Sequence, residues 1–225
     1  MKQIPNPSIL LVLLLNLLIN GFSSAQTSKT LSPDLATLAS KPKTVVNRTA
    51  MMLVEGKRKG IRIDERAGEG LVWIPGMRLA DGILEFDVRG RDSLKQFFVG
   101  IAFHGQDDKT YEAIYFRPFN FHSADPLRRV HAVQYIAHPT YTWEKLRAEF
   151  PGRYEAALTP PPDANHWFHV RVEIQSLSVR VFVNHNATPA LVVNRLVQTA
   201  NGQVGLWVGN ESGGDFAHLT VLPAR

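Results

Sequence analysis

The sequence predicts an all-β protein, a sandwich or a barrel made of short strands. Three observations support this prediction. At least nine segments after Thr49 have strand character and are separated by turn residues. No long stretch shows helical periodicity, and no repeat of fixed period occurs. Many short strands without long helices are typical of sandwiches and barrels.

Hydrophobic alternation defines the individual strands. After the turn signal Asp81-Gly82, the residues Leu84, Phe86 and Val88 alternate with charged residues. Such alternation indicates a strand with one buried face and one wet face. The same reasoning, with Gly and Pro as interruptions, places strands at residues 51–55, 60–64, 71–74, 83–89, 97–104, 111–119, 130–137, 167–174, 179–184, 204–209 and 216–222.

One long insertion, residues 138–165, separates two of these strands. Its segment Tyr141–Arg147 predicts a short helix, and the rest is rich in proline. Long loops on a rigid sandwich frequently carry function. We therefore expect this insertion to contribute to a binding site.

Composition excludes several functions. The chain has 225 residues, 44% of them hydrophobic, and a formal net charge of +5. The basic residues are scattered and form no stripe with aromatic residues, so nucleic acid is not expected as a partner. Cysteine is absent, which excludes disulfides, thiolate nucleophiles and cysteine-ligated zinc.

The N-terminus is typical of an export signal. Lys2 precedes an apolar run that ends at Asn20-Gly21, and Ser23-Ser24-Ala25 supplies small residues for cleavage after Ala25. The run is short for a membrane span. We expect a signal peptide at 1–25, a flexible segment at 26–48 and the sandwich domain at 49–225. Within the flexible segment, Leu31, Leu35 and Leu38 could form a short helical turn after Ser32-Pro33. The protein would be secreted or periplasmic, with no transmembrane anchor after cleavage; the alternative is an uncleaved anchor.

Several sequence segments, in their order along the chain, resemble the concanavalin A-like lectin/glucanase superfamily. They are also similar to its laminin-G-like branch, which contains the 3-keto-disaccharide hydrolase domain family. These segments are residues 80–88, 98–103, 111–117, 167–170, 181–184, 202–207 and 214–219.

The resemblance implies a two-sheet antiparallel jelly-roll sandwich whose concave sheet meets a sugar. It also implies cleavage of glycosides of oxidised sugars. That family pairs a Glu with a Gln two residues on, whereas here Ile114 follows Glu112.

Strand parity predicts the residues on the concave face. Gly100 and Ala102 are small and would leave room above the sheet, with aromatic and polar side chains around it. Aromatic rings stack on sugars, and Arg and His donate to hydroxyls. The predicted substrate-binding residues are His104, Tyr115, Arg117, Asn120, Trp143 and Trp207. The alternatives are loop packing for the aromatic residues and a turn-shaping role for Asn120.

His104 and Glu112 are the candidates for catalysis, although Glu112 falls on the core-side parity of its strand. Asp215 is the candidate ligand of a metal, Ca²⁺, which prefers six or more oxygens. Glu85 and Asp87 are spaced like the start of a glucanase motif. The third carboxylate of that motif is missing, so the polar face of an ordinary strand explains them.

The sequence therefore leaves three functions open. The first is a secreted domain that binds a glycan or small saccharide on its concave sheet. The second is a glycoside-cleaving hydrolase or lyase of the 3-keto-disaccharide type that uses the same concavity. The third is a laminin-G-like protein-interaction module, which a flat apolar patch without a pocket would favour. The sequence contains no complete catalytic set, so it does not decide whether the protein is an enzyme.

Overall fold

Two antiparallel seven-stranded sheets form the fold, which confirms the predicted all-β jelly-roll sandwich. The computed structural model describes residues 29–94 and 96–224. The predicted signal peptide and its cleavage after Ala25 lie outside the described residues. Among those described, no helix has the length and apolar character needed to cross a membrane.

Fourteen strands and three short α-helices build the sandwich. The helices are α1 (Leu35–Leu38), α2 (Pro126–Arg129) and α3 (Trp143–Glu149). The strands are β1 (Val45–Val46), β2 (Ala50–Glu55), β3 (Arg58–Ile63), β4 (Gly70–Leu79), β5 (Gly82–Arg89), β6 (Val99–Gly105), β7 (Tyr111–Phe116), β8 (Val133–His138), β9 (Glu155–Ala156), β10 (Phe168–Gln175), β11 (Ser178–Val183), β12 (Leu191–Asn194), β13 (Gly202–Val208) and β14 (Gly214–Pro223).

The two sheets differ in what covers their outer faces. We call β1-β4-β13-β6-β7-β8-β9 the front sheet and β12-β11-β10-β5-β14-β3-β2 the back sheet. In β5 and β10 buried residues alternate with half-buried ones, so the outer face of the back sheet meets water. Every residue of β6 and β7 is buried, so both faces of the front sheet are covered there.

The core lies between the sheets. Phe116 of β7 contacts Phe168 of β10 edge to face, with ring centroids 5.2 Å apart. Phe116 therefore points inward, and strand alternation turns its neighbour Tyr115 outward. Each fully buried large apolar side chain contributes about 1.5–3 kcal/mol. This parity decides which front-sheet side chains can meet a ligand.

The segment expected to be a flexible tether is ordered from Leu31 on. Leu31 exchanges two backbone hydrogen bonds with Val221 of β14. Asp34 caps α1 by accepting from the N–H of Ala36. Leu35 and Leu38 are each 3% exposed and belong to the core. This part of the segment 26–48, which was expected to be a tether with a possible short helix, packs on the sandwich, because Leu35 and Leu38 cover apolar surface that would otherwise face water.

The long insertion contains the predicted helix. Thr142 accepts from the backbone N–H of Lys145 and begins α3, as an N-cap residue does. Leu146 is buried and anchors the helix to the sheet. The strand predicted at 130–137 begins only at Val133 because α2 and a turn occupy the residues before it.

Candidate functional site

A cavity of about 690 Å³ opens on the outer face of the front sheet. Its floor comes from strands β7 and β13, and its walls come from the loops around α2 and from α3. The lining residues are Glu69, Leu94, Phe98, Tyr115, Arg117, Phe119, Asn120, Arg128, His131, Trp143, Glu144, Arg147, Trp207, Gly209 and Asn210. Volumes of about 300–1,000 Å³ are usual for small-molecule sites.

Aromatic rings make the floor of the cavity. Trp207 and Tyr115 flank Gly100 on adjacent strands, and their ring centroids lie 4.8 Å apart. Phe98 meets Tyr115 edge to face at 6.1 Å and meets Phe119 at 5.4 Å. Such contacts fix the orientation of the rings. The floor is thus a rigid apolar surface on which a flat ligand can lie.

Arg117 lies beside this floor and is only 5% exposed. Its guanidinium donates to the Tyr115 hydroxyl at 2.5 Å, to Gln134 Oε1 at 2.6 Å and to the His131 carbonyl at 3.0 Å. Burial lowers the pKa of Arg117, but a guanidinium stays charged at neutral pH. Burial also raises the pKa of Tyr115 to about 12, so its hydroxyl remains a neutral partner.

The loop around α2 supplies the polar wall. Asn120 is 3% exposed; its amide donates to the His131 carbonyl at 3.4 Å and accepts from Arg128 Nε at 3.3 Å. Arg117 donates to that same His131 carbonyl. Asn120 therefore links the two arginines along one side of the cavity.

Helix α3 forms the opposite rim. Trp143 is 41% exposed, and the Arg147 guanidinium lies 4.9 Å from its ring centroid. Arg147 also donates to Glu155 at 2.9 and 3.3 Å. This ion pair ties α3 to the edge of the front sheet. Trp143 is thereby held over the opening with much of its ring accessible to a ligand.

Glu69 contributes a carboxylate to the lining. Its Oε2 accepts from the Tyr111 hydroxyl at 2.5 Å, and His138 Nε2 lies 3.2 Å from its Oε1. Burial favours the neutral acid, but the contacts with His138 and Tyr111 outweigh burial and lower the pKa of Glu69. Trp207 donates to the same Tyr111 hydroxyl at 3.2 Å. Glu69 is thus a carboxylate that also fixes the floor.

Arg48 supports the loops on either side of Glu69. It is 7% exposed, and it donates to the carbonyls of Gly68 at 2.6 Å and Gly209 at 2.7 Å. Asn210 Oδ1 accepts from the Gly68 N–H at 2.7 Å. These bonds join the start of β4 to the end of β13, so the N-terminal segment helps to shape the cavity.

The structure brings together five of the six residues predicted to bind substrate. Those that line the cavity are Tyr115, Arg117, Asn120, Trp143 and Trp207. The expected room above Gly100 is not present. A methyl group at Gly100 would lie 2.1 Å from the Ile114 carbonyl oxygen and 2.7 Å from Cβ of Tyr115, because β7 approaches closely there. The space for a ligand lies further out, above the rings.

His104, the sixth residue, does not line the cavity. Its left-handed backbone, φ 53°, interrupts the strand alternation. The ring turns to Glu112, with Nδ1 2.7 Å from Oε1, and Nε2 lies 2.5 Å from the Ala80 carbonyl. Glu112 also accepts from Tyr135 at 2.6 Å and from Arg195 at 2.7 Å.

The predicted catalytic candidates thus lie in a closed ionic cluster. His104 is 1% exposed and Glu112 is 0% exposed. Burial opposes ionisation of Glu112, but bonds from His104 and Arg195 lower its pKa. No substrate reaches these atoms without displacing the cluster. Its position indicates a structural role, in which it fastens the Arg195 loop to the sheet.

Asp215, the predicted calcium ligand, lies in an ion-pair network on the back sheet. Its two oxygens accept from Arg62 at 2.6 and 2.9 Å and from Arg89 at 2.6 and 2.9 Å. Two guanidinium groups compensate the charge that would attract a cation. The donor set therefore does not fit Ca²⁺. Across residues 29–94 and 96–224, no group of three or more His, Asp or Glu side chains is placed to hold a metal.

Glu85 and Asp87 also lie on the outer face of the back sheet. Asp87 contacts His169 at 3.0 Å and His218 at 2.8 Å. Neither carboxylate lines the front-sheet cavity. Their placement agrees with the interpretation of an ordinary polar strand face.

Several lining residues were missed by sequence reasoning. They are Glu69, Phe98, Phe119, Arg128, His131 and Arg147. Phe98 had a usable signal, since it shares its parity with Gly100. Glu69 and Arg128 had none, because they come from loops whose positions depend on the whole fold.

Known structures share this fold. No protein-family model matches the chain, and no curated protein matches its sequence. A Bacillus subtilis protein with a galectin-like fold matches 85% of this chain and 94% of its own, at 10% identity and a TM-score of 0.57. The carbohydrate-binding module CBM66 from Bacillus subtilis matches 79% of this chain and 96% of its own, at 14% identity and a TM-score of 0.53.

The VIP36 exoplasmic/lumenal domain, in a form bound to Ca²⁺ and Man3GlcNAc, matches 89% of this chain and 91% of its own. Its identity is 12% and its TM-score is 0.53. The chain therefore has the concanavalin A-like lectin/glucanase fold. Identities this low establish the fold alone.

Proposed function

We propose that this chain binds a glycan in the front-sheet cavity. The observation that carries the proposal is the floor of Trp207 and Tyr115 next to the buried Arg117. Aromatic faces stack on the C–H faces of sugar rings, and a guanidinium donates to hydroxyl oxygens. An apolar floor with a few converging polar groups is the usual composition of a ligand site.

The structural neighbours support this proposal in general terms. One of them is a carbohydrate-binding module, and another was solved with Man3GlcNAc. The same jelly roll therefore serves carbohydrate binding elsewhere, although fold alone does not determine function. The assignment to this chain depends on its own cavity residues.

Two matched tryptophan variants test the proposal. Trp143→Ala removes an exposed ring from the cavity rim, and Trp167→Ala removes a half-buried ring from the back sheet, where Arg58 and Arg89 flank it. We expect Trp143→Ala to weaken binding of a glycan by about tenfold, and Trp167→Ala to leave it unchanged. Glycan-array screening followed by titration calorimetry measures both. Equal binding by wild type and Trp143→Ala, or no binding of any glycan, would reject the site.

Glycoside cleavage is a second candidate. The observation that favours it is that Glu69 and Glu144 both line the cavity, since such reactions use paired carboxylates. With its lowered pKa, Glu69 would act as the base or nucleophile and not as the acid. Incubation with glycosides and their 3-keto forms tests this, with Glu69→Gln as the comparison. Products that persist in Glu69→Gln would exclude this role.

We further propose that the protein acts outside the cytoplasm, as its signal-like N-terminus indicates. N-terminal sequencing of the protein from its native cells tests this. A mature chain that begins at Gln26 supports export with cleavage, and one that begins at Met1 opposes cleavage.

A further inference from the structure

Arg117 is a buried cation with no carboxylate of the described chain in direct contact; burial lowers its pKa, and the charge of Glu155 opposes this without bonding it. Within the described residues, no carboxylate oxygen lies within 4.0 Å of its nitrogens. Arg62 and Arg89 pair with Asp215, and Arg195 pairs with Glu112. Arg48 is also buried without a carboxylate contact in this part of the chain, but all three of its guanidinium nitrogens donate to backbone carbonyls and it does not line the cavity. An uncompensated buried charge is costly. An anion from outside the chain would remove that cost.

The neutral partners of Arg117 leave donors unused. The guanidinium is held by Tyr115, Gln134 and the His131 carbonyl, and its Nε makes no hydrogen bond to any described residue. The amide Nε2 of the adjacent Gln134 is a second buried donor without a partner in the described part of the chain. Gln134 lies beneath the cavity and not on its lining, so the immediate surroundings of Arg117 have more donors than acceptors.

Arg128 adds a second positive charge on the same side. It donates to Asn120, which in turn donates to the carbonyl that Arg117 also uses. No carboxylate pairs with Arg128 among residues 29–94 and 96–224. Neither carboxylate of the lining lies within 4.0 Å of Arg117 or Arg128: Glu69 is bonded to Tyr111, and Glu144 is exposed on the first turn of α3. Arg147 is already neutralised by Glu155.

We propose that the cavity selects an acidic saccharide, one whose carboxylate lies against Arg117 with Arg128 as a second cation. The planar fork of a guanidinium matches a carboxylate. The Arg117 guanidinium is itself held between two rings, with its central carbon 4.7 Å from Tyr115 and 5.6 Å from Phe98. The sugar ring then lies on Trp207 and Tyr115. This inference rests on the proposed function and names its ligand class.

Pairs of uronic-acid oligosaccharides and their methyl esters test the proposal, because the ester removes only the charge. Titration calorimetry on the full protein compares each acid with its ester and with a sulfated oligosaccharide. For one of these pairs we expect the acid to bind at least about tenfold more tightly than its methyl ester. In Arg128→Gln we expect this preference to fall to about threefold or less while ester binding is retained. Arg153→Gln, an exposed arginine outside the cavity, serves as the matched control and keeps the full preference.

The outcomes separate this inference from the glycan proposal. Acid and ester that bind equally overturn the acidic class and leave glycan binding intact. Binding of sulfated but not carboxylated sugars also overturns it. If the preference for the acid over its ester survives in both Arg128→Gln and Arg117→Lys, the placement of the anion is overturned. If Arg117→Lys does not fold, the result for Arg128→Gln decides. A cavity that binds no neutral or acidic saccharide refutes the proposed function itself.

Discussion

The buried charged residues of this protein differ in whether an oppositely charged group of the same chain contacts them. Glu112 and Asp215 are surrounded by cations of the same chain, and each accepts bonds from arginine. Arg117 has only neutral partners and faces a cavity. Arg48 is likewise buried without a carboxylate contact among the described residues, but backbone carbonyls occupy its nitrogens and it does not line the cavity. Arg117, on the cavity wall with an Nε that bonds no described residue, is therefore the residue that points to a ligand. Glu112, in contrast, is fully buried and bonded to Arg195 and His104, which indicates a structural role.

Replacement of Glu112 tests its structural role. In Glu112→Ala the Arg195 guanidinium and the His104 ring lose their shared partner inside the protein. Loss of one partner of a buried ion pair costs about 3–5 kcal/mol. Urea unfolding is expected to show a decrease of this size. A variant of unchanged stability that nevertheless lost binding or turnover would contradict the structural role.

Asp215 gives a pH-dependent prediction. Burial raises its pKa, but hydrogen bonds from Arg62 and Arg89 outweigh burial and lower it below the ordinary 3.8. The carboxylate therefore stabilises the fold above pH 3.8, and this contribution is lost as the pH falls through the lower folded-state pKa. Asp215→Asn is expected to reduce the free energy of unfolding by about 1–3 kcal/mol at pH 7.

The difference between wild type and Asp215→Asn is expected to narrow as the pH falls below 3.8. Urea unfolding at pH 7 and at successively lower pH measures this. A difference that does not change with pH would contradict the ion-pair account. A rise in Tm with Ca²⁺ that Asp215→Asn abolishes would instead restore the predicted metal site.

At the scale of elements, alternation predicts a strand best where one face is wet. In β5 and β10 the buried and half-buried residues alternate as the sequence indicates. In β6 and β7 all residues are buried, so alternation separates small from large residues and not core from solvent. The positive φ of His104 then turns its side chain to the opposite face of the sheet. The pattern of residue types does not show this change.

Helix α1 gives a prediction about the N-terminal segment. It packs against β2, β3 and β14, and it lies where the spacing of Leu31, Leu35 and Leu38 indicated a short helical turn. Leu35 is 3% exposed and Leu31 is 38% exposed. We expect Leu35→Ala to lower the free energy of unfolding by about 2–5 kcal/mol, and the control Leu31→Ala to change it much less.

Thermal and urea unfolding of the two leucine variants measure this difference. Equal stability of Leu35→Ala and wild type would show that the segment is a tether, as the sequence suggested. A chain that starts at Thr49 would also lose Arg48 and its bonds to the Gly68 and Gly209 loops. We therefore expect that shortened chain to be less stable than one that starts at Gln26.

At the scale of the whole molecule, the cavity joins parts of the chain that lie far apart. Tyr115 and Trp207 were accessible to prediction because they lie on strands with clear parity. Asn120 and Trp143 could be predicted because each lies in a loop that contains aromatic residues. Glu69 and Arg128 were not, because their positions depend on loop contacts such as the bond of Arg128 to Asn120. The pattern of residue types predicts which face of a strand a side chain occupies. The positions of loop residues depend instead on contacts that form only in the complete fold.

The cavity also bears on the three functions that the sequence left open. An interaction module would present a flat apolar surface, whereas here a recess of about 690 Å³ has an aromatic floor and arginines on its wall. Such a recess suits a small ligand. Binding and cleavage of a saccharide would both use this site, so they differ only in what Glu69 and Glu144 do.

The most direct measurement of the central claim is a crystal structure of the protein with a saccharide that it binds in solution. The account predicts that the sugar ring lies on Trp207 and Tyr115 within hydrogen-bond distance of Arg117. A saccharide bound with full occupancy on the back sheet, with the front-sheet cavity empty, would contradict it.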